Sequence, residues 1–173
     1  MKLTTTAAAL VFAAFATLSA QGVNDAQIAS IVVTANQVDV DAGKLAVAHA
    51  AGAEVKAFGQ QMIDAHTGVN KSAVELVTRL KVKPEDNPTS QALKAGGDKN
   101  VAALKALKGA EFDRAYIEHE VAYHQQVLDA VDKTLIPGAK NEELKALLVK
   151  VRPAFVAHLE HAKHLQGTLA KGR

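Results

Sequence analysis

Apolar residues recur at intervals of three and four along most of the chain, and this spacing restricts its fold more than any other feature. It matches the 3.6-residue period of the α-helix, so each helical segment has one apolar side. The pattern predicts four long helices. Their stripes are Ile28, Ile31, Ala35, Val38, Ala42 and Leu45; Val55, Met62, His66, Val69, Ala73, Leu76 and Leu80; Ile117, Val121, His124, Leu128, Val131 and Leu135; and Leu144, Leu148, Val151, Phe155, His158, Ala162, Leu165 and Leu169.

Capping and helix-breaking residues predict where these helices begin and end. Asn24 is suited to be the N-cap of the first helix, and Gly52 interrupts it. The second helix is expected to stop before Pro84, and the third at Pro137–Gly138, with Asn141 capping the fourth. Within the fourth pattern, Pro153 predicts either a kink or a break followed by a new helix.

A long connection separates the second helix from the third. Two prolines and the pair Gly96–Gly97 punctuate it, which predicts one or two short helices in place of one long helix. Short turns join the other helices in pairs, so the long connection would let the second and third helices lie parallel. The predicted fold class is all-α, a ferritin-like four-helix bundle with one long crossover connection containing short helices, in a single domain over residues 24–170.

The first twenty residues have the features of a secretory signal peptide. Lys2 precedes a short apolar run that ends in small residues, and the run is too short to span a bilayer. The side-chain sizes leave the cleavage point open between residues 19 and 22. We therefore expect an exported protein, periplasmic or otherwise outside the cytoplasm, whose mature chain has no transmembrane span.

Composition excludes several classes of function. The formal net charge of +2 provides no basic excess for binding nucleic acid. The chain has no cysteine, which excludes thiolate catalysis and zinc–cysteine sites. The sequence also contains neither a phosphate-binding loop nor a nucleophile elbow around a serine.

Three histidines are predicted to face the core of the bundle. At about 100° per residue, His158 lies roughly 30° from the centre of its stripe, whereas His161 lies about 90° and His164 about 150° away. His66 and His124 fall on the stripes of their own helices. Folding each helix pair about its turn brings His66, His124 and His158 to similar depths and leaves His49 outside the cluster.

Glu120 joins these histidines because it lies between two apolar lines of the third helix, one turn before His124. A buried carboxylate is rarely left unpaired, so His124, His158 or a tyrosine hydroxyl is its expected partner. The candidate metal ligands are therefore His66, Glu120, His124 and His158, and His161 and Asp64 are further candidates at the border.

The type of metal follows from the spacing of these ligands. A carboxylate-bridged di-iron bundle needs Glu-x-x-His pairs, but Ile63, Val121 and Phe155 occupy the positions three residues before the inward histidines. Three imidazoles and one carboxylate better suit a single zinc or copper ion. Met62 could add a thioether ligand for copper, although methionine at this spacing is more often a core residue.

Three segments of the chain resemble those of a known family: MIDAHTGVN at 62–70, AEFDRAYIEHEVAYHQQVLDAV at 110–131 and VRPAFVAHLEHAKHL at 151–165. The family is the bacterial domain of unknown function 4142, and the resemblance covers about residues 25–168. It implies export to the periplasm or outer membrane and a ferritin-like four-helix bundle, and it assigns no activity.

These observations predict an exported bundle that binds a metal or a small ligand in the cell envelope, in stress or in metal handling. The alternative is a non-enzymatic structural or interaction module, in which the inward histidines and Glu120 form only a hydrogen-bond network. A metal-dependent peroxide scavenger is a third hypothesis, and the sequence favours the absence of catalysis. An envelope protein or a second copy of the chain is a candidate partner.

Overall fold

The structure is a computed structural model that describes residues 22–171, and this part of the chain consists of helices and their connections and contains no strand. Its helices are α1 (Asp25–His49), α2 (Ala53–Arg79), α3 (Pro88–Lys105), α4 (Gly109–Ala130) and α5 (Glu142–Lys171). A π-helical segment (Val131–Leu135) and one further turn (Ile136–Gly138) extend α4. The predicted all-α class is confirmed, and the predicted signal peptide at residues 1–20 lies outside the described residues.

The predicted caps form at the ends of the helices. The Asn24 side chain accepts a hydrogen bond from the Gln27 backbone N–H (2.9 Å), and the Gln27 side chain accepts one from the Asn24 N–H (3.2 Å). Asn141 accepts in the same way from the N–H groups of Glu143 and Leu144. These bonds satisfy N–H groups that lack partners within a helix, so the local sequence determines where α1 and α5 begin.

The long helices pair as two hairpins, α1 with α2 and α4 with α5. Near the start of α4, Asp113 accepts hydrogen bonds from the N–H groups of Ala51 (2.9 Å) and Gly52 (2.8 Å), so α2 and α4 begin side by side. At the other end of α2, Arg79 pairs with Glu143 at the start of α5 (2.7 Å). Thus α2 runs parallel to α4 and antiparallel to α5, as the predicted crossover connection requires.

The prediction that the crossover connection contains one or two short helices is wrong. It contains one helix of 18 residues, α3, which continues through Gly96 and Gly97. Gly97 is buried, and a Cβ atom at this position would lie only 2.6 Å from Cγ2 of Val38 in α1. The glycine therefore permits close packing of α3 on α1, a role that local sequence does not distinguish from helix breaking.

Pro153 does not divide the last helix. The helix α5 is continuous from Glu142 to Lys171 with Pro153 inside it, so the alternative of a break and a new helix is wrong. The irregular backbone lies instead at the end of α4, in the π-helical segment, which the sequence did not predict.

The buried apolar side chains form two clusters. One contains Val38, Tyr123 and Phe155, and the other contains Ala42, Ile117 and Ala162. On each of α1, α4 and α5, a buried polar residue lies along the chain between a residue of one cluster and a residue of the other. These polar residues are Asp39 on α1, Glu120 on α4 and His158 on α5. The bundle interior therefore has a polar level between two apolar ones.

Within residues 22–171, none of the helices combines the length and the hydropathy needed to cross a membrane.

Candidate functional site

Each helix of the two hairpins contributes buried polar side chains to one level of the interior. Asp39 comes from α1, His66 from α2, Glu120 and His124 from α4, and His158 from α5. All are at most 4% exposed to solvent, and Glu120 is fully buried. Burial of this many ionisable groups is costly unless they pair with one another or with an ion.

The three imidazole rings meet at the centre of this level. The ring centroids of His66 and His124 are 5.5 Å apart, those of His66 and His158 are 5.2 Å apart, and those of His124 and His158 are 5.4 Å apart. One ring nitrogen from each lies within 4.8 Å of a ring nitrogen of the other two. The three rings thus surround a common point.

A hydrogen bond sets the tautomer and orientation of His66. Its Nδ1 lies 2.7 Å from Oδ1 of Asn36, which can only accept, so Nδ1–H donates. The Asn36 amide is itself held in place because its Nδ2 donates to the carbonyl of Val32 (2.7 Å). The other ring nitrogen of His66, Nε2, is buried, has no hydrogen-bond partner and keeps a free lone pair.

The other two histidines also present buried nitrogens without partners. Nδ1–H of His124 donates to the backbone carbonyl of Glu120 (3.1 Å), and Nε2 of His124 has no hydrogen-bond partner. In His158 the buried nitrogen without a partner is Nδ1. Histidines that bind metals commonly donate their second N–H to a carbonyl oxygen, as His66 and His124 do here.

Two carboxylates lie beside the imidazoles. Oε2 of Glu120 is 3.4 Å from Nδ1 of His124, and Oδ2 of Asp39 is 3.5 Å from Nδ1 of His66. Asp39, Glu120 and His124 form a second group whose potential ligand atoms lie within 4.8 Å of one another. One oxygen of Asp39 and both of Glu120 are buried without a hydrogen-bond partner.

Burial and neighbouring charges shift the protonation of this group. Burial lowers the pKa of His124, but Asp39 and Glu120 outweigh it and raise that pKa to about 9. Burial raises the pKa of Asp39 well above its usual value, although His124 opposes the shift. Without a metal, therefore, His124 is protonated at neutral pH.

The remaining two imidazoles are neutral near pH 7. Burial, followed by the charge of His124, lowers the pKa of His158 to about 4 and that of His66 well below its usual value. Their lone pairs are consequently available to a metal ion without the removal of a proton.

The structure brings together the four principal residues predicted from the sequence, His66, Glu120, His124 and His158. Of the partners expected for Glu120, His124 lies at ion-pair distance, with 3.4 Å between Oε2 and Nδ1. The two border candidates are exposed and lie outside the cluster: Asp64 accepts from the side chain of Gln60, and His161 contacts Gln61 and Phe58. Neither of these two side chains joins the group of inward imidazole rings.

Other predictions about polar and core residues are met or revised. His49 lies away from the site, as expected; its side chain is exposed and packs against Phe112. His119 is half-buried and stacks on Tyr123. Met62 belongs to the apolar cluster that contains Ala42, as a core methionine would.

Sequence reasoning missed Asp39 and Asn36, which are both buried. The signal was present, because Asp39 lies four residues after Ala35 and three before Ala42, within the stripe of α1. Asp41, on the same helix, is less buried and bonds to Gln37 and Lys44 at the surface.

The chain matches the model of a family described as a domain of unknown function, DUF4142, over residues 9–165. Because this match spans most of the chain, the protein belongs to that family. No curated protein and no solved structure matches the chain significantly.

Proposed function

We propose that the protein binds a single transition-metal ion, zinc or copper, through His66, His124 and His158. The observation that carries this proposal is the convergence of three buried imidazole rings, each of which has one buried ring nitrogen without a hydrogen-bond partner. A buried polar atom without a partner costs about 1–3 kcal/mol. A metal ion at the common point would satisfy all three at once.

The charges of the surrounding groups support the same proposal. Three neutral imidazoles with the carboxylates of Asp39 and Glu120 would neutralise a divalent cation. Binding would displace the proton from His124, since a coordinating imidazole gives up the proton on its ligating nitrogen.

Imidazole and carboxylate ligands suit zinc and copper, and Asp39 or Glu120 would supply a fourth ligand.

The protein would act in the cell envelope, as a ferritin-like bundle that is exported through the signal peptide at residues 1–20. The two hairpins with a crossover between them support that fold, and the apolar run after Lys2 supports export. Metal handling or stress protection would be its role.

Metal titration of the purified protein tests this proposal. We expect one equivalent of zinc or copper to bind, by calorimetry and elemental analysis. The variants His66→Gln, His124→Gln and His158→Gln should each lose more affinity than the roughly 10–100-fold that removal of an outer hydrogen-bond partner causes. His164→Gln, on an exposed part of the same helix as His158, is the matched control and should bind normally. Absence of bound metal in the wild-type protein would refute the proposal.

A purely structural network is the second candidate, and the contact of 3.4 Å between His124 and Glu120 favours it. In that case the polar level would only fix how the helices pack. The variant His124→Leu would then be as stable as the wild-type protein or more stable, and no metal would bind to either form.

A further inference from the structure

A small cavity lies beside the histidine cluster, between α1, the end of α4 and α5. Its volume is about 30 Å³, and His66, Asp39 and Asn36 line one end. The remainder of its wall is apolar and includes Val131, Leu135 and Leu148. The cavity therefore connects the polar level to the apolar part of the core.

The size of the cavity limits its occupant. A single water molecule requires about 10–15 Å³ measured in this way, so about 30 Å³ accommodates a molecule of two heavy atoms.

The lining limits the chemistry of the occupant. Both polar groups of the Asn36 side chain are already engaged, with His66 and with the carbonyl of Val32. An ordered water needs two to four polar partners, and atoms that could serve, Oδ1 of Asp39 and Nε2 of His66, belong to the polar end and not to the apolar wall. An ion would lose its hydration without compensation over most of this wall. An uncharged, weakly hydrated molecule is the class that fits.

The backbone around the cavity is also irregular. Val131 and Leu135, the first and last residues of the π-helical segment, both line the cavity. Such segments are rare and occur frequently at functional sites. The departure from α-helical geometry thus coincides with the cavity and not with Pro153.

We propose that this cavity binds a diatomic molecule of the dioxygen class next to His66. The chemical role of the bound molecule rests on the proposed function, because this molecule would lie next to a metal ion held by the three imidazoles. The occupancy of the cavity itself does not depend on the metal.

Dissolved dioxygen is paramagnetic, so methyl NMR of the metal-free protein under oxygen pressure tests the proposal directly. We expect greater relaxation enhancement at the methyl groups of Leu135 and Leu148 than at those of Leu104 and Leu165. All four side chains are at most 3% exposed, but the second pair lies in the other apolar cluster, away from the cavity. Equal enhancement in the two pairs would overturn the proposal.

A filled-cavity variant provides the second measurement. Val151 lines the cavity and is partly exposed, so Val151→Phe can extend into the space without rebuilding the core. It should abolish the selective enhancement, whereas the control Val149→Phe, at a position 53% exposed, should retain it. Retained enhancement in folded Val151→Phe would also overturn the proposal.

Zinc titration of the same variants separates this proposal from the metal site. Val151→Phe should bind zinc as the wild-type protein does, because it changes none of the proposed ligands. Selective oxygen enhancement without zinc binding would support dioxygen binding in the cavity and refute the metal site. Zinc binding without selective enhancement would support the metal site and refute dioxygen binding in the cavity.

Discussion

At the scale of single residues, Asn36 determines what His66 can do. Its Oδ1 accepts the Nδ1–H of His66, which leaves Nε2 as the nitrogen with the free lone pair. A carbonyl oxygen in this position both selects the tautomer and makes the ring a better ligand. The amide therefore acts on the site without being a proposed ligand.

We expect Asn36→Leu to weaken zinc or copper binding by about 10–100-fold, because His66 loses its orienting acceptor. Calorimetric titration measures this change. The neighbouring Gln37 is exposed and bonds only to Asp41, so Gln37→Leu is the matched control and should leave affinity unchanged. Equal affinity in the two variants would show that Asn36 does not orient the ring.

The histidines also predict how the metal-free protein responds to acid. An unfolded histidine has a pKa near 6.5, whereas His158 in the folded protein has one of about 4. Below pH 6.5 the unfolded chain therefore binds a proton that the folded chain does not. Stability from this group is complete above pH 6.5 and is lost as the pH falls towards 4, by up to about 1.4 kcal/mol per pH unit per proton.

Urea unfolding between pH 7 and pH 4 measures this effect. His158→Gln should show a shallower loss of stability than the wild-type protein, and His164→Gln should follow the wild type. His124 has the opposite sign: its raised pKa of about 9 gives stability below pH 6.5 that is lost as the pH rises through 9. An identical slope in His158→Gln and the wild-type protein would contradict the assignment to His158.

At the scale of elements, α3 shows how packing overrides a local signal. Two adjacent glycines would ordinarily weaken a helix by about 1 kcal/mol each relative to alanine. Here α3 is retained because Gly97 allows its backbone to approach Val38 of α1. The neighbouring Gly96 has no atom within 4 Å of its missing Cβ.

We therefore expect the same substitution, glycine to alanine, to have opposite effects on stability at Gly96 and at Gly97. Gly96→Ala should stabilise the protein by up to about 1 kcal/mol, since alanine favours the helix and meets open space. Gly97→Ala should destabilise it by about 1–3 kcal/mol, because the new methyl group overlaps the stiff side chain of Val38. Thermal or urea unfolding of the two variants measures the difference. Stabilisation by both would mean that α3 does not pack closely on α1.

At the scale of the whole molecule, the polar level joins the two hairpins. Asp39 and His66 come from the first hairpin, and Glu120, His124 and His158 come from the second. A metal ion bound there would link both hairpins and would favour the folded state over the unfolded one.

We expect zinc or copper at one hundred times its Kd to stabilise the wild-type protein by about 2.7 kcal/mol, or a rise in Tm of about 5–11 °C. Differential scanning calorimetry before and after a chelator measures the rise. His66→Gln should show a much smaller rise, and His164→Gln should show the full one. A Tm that does not change when metal is added or removed would count against a metal site between the hairpins.

The sequence by itself determined the helices, their caps and the inward direction of His66, Glu120, His124 and His158. Each of these depends on neighbours within one or two turns, where the period of the helix is sufficient. Only the tertiary structure decided that Asp39 and Asn36 join them, that α3 is one helix and that a cavity adjoins the site. Those features depend on contacts between segments far apart in the chain, such as Asn36 with His66 or Gly97 with Val38, and local sequence does not specify such contacts.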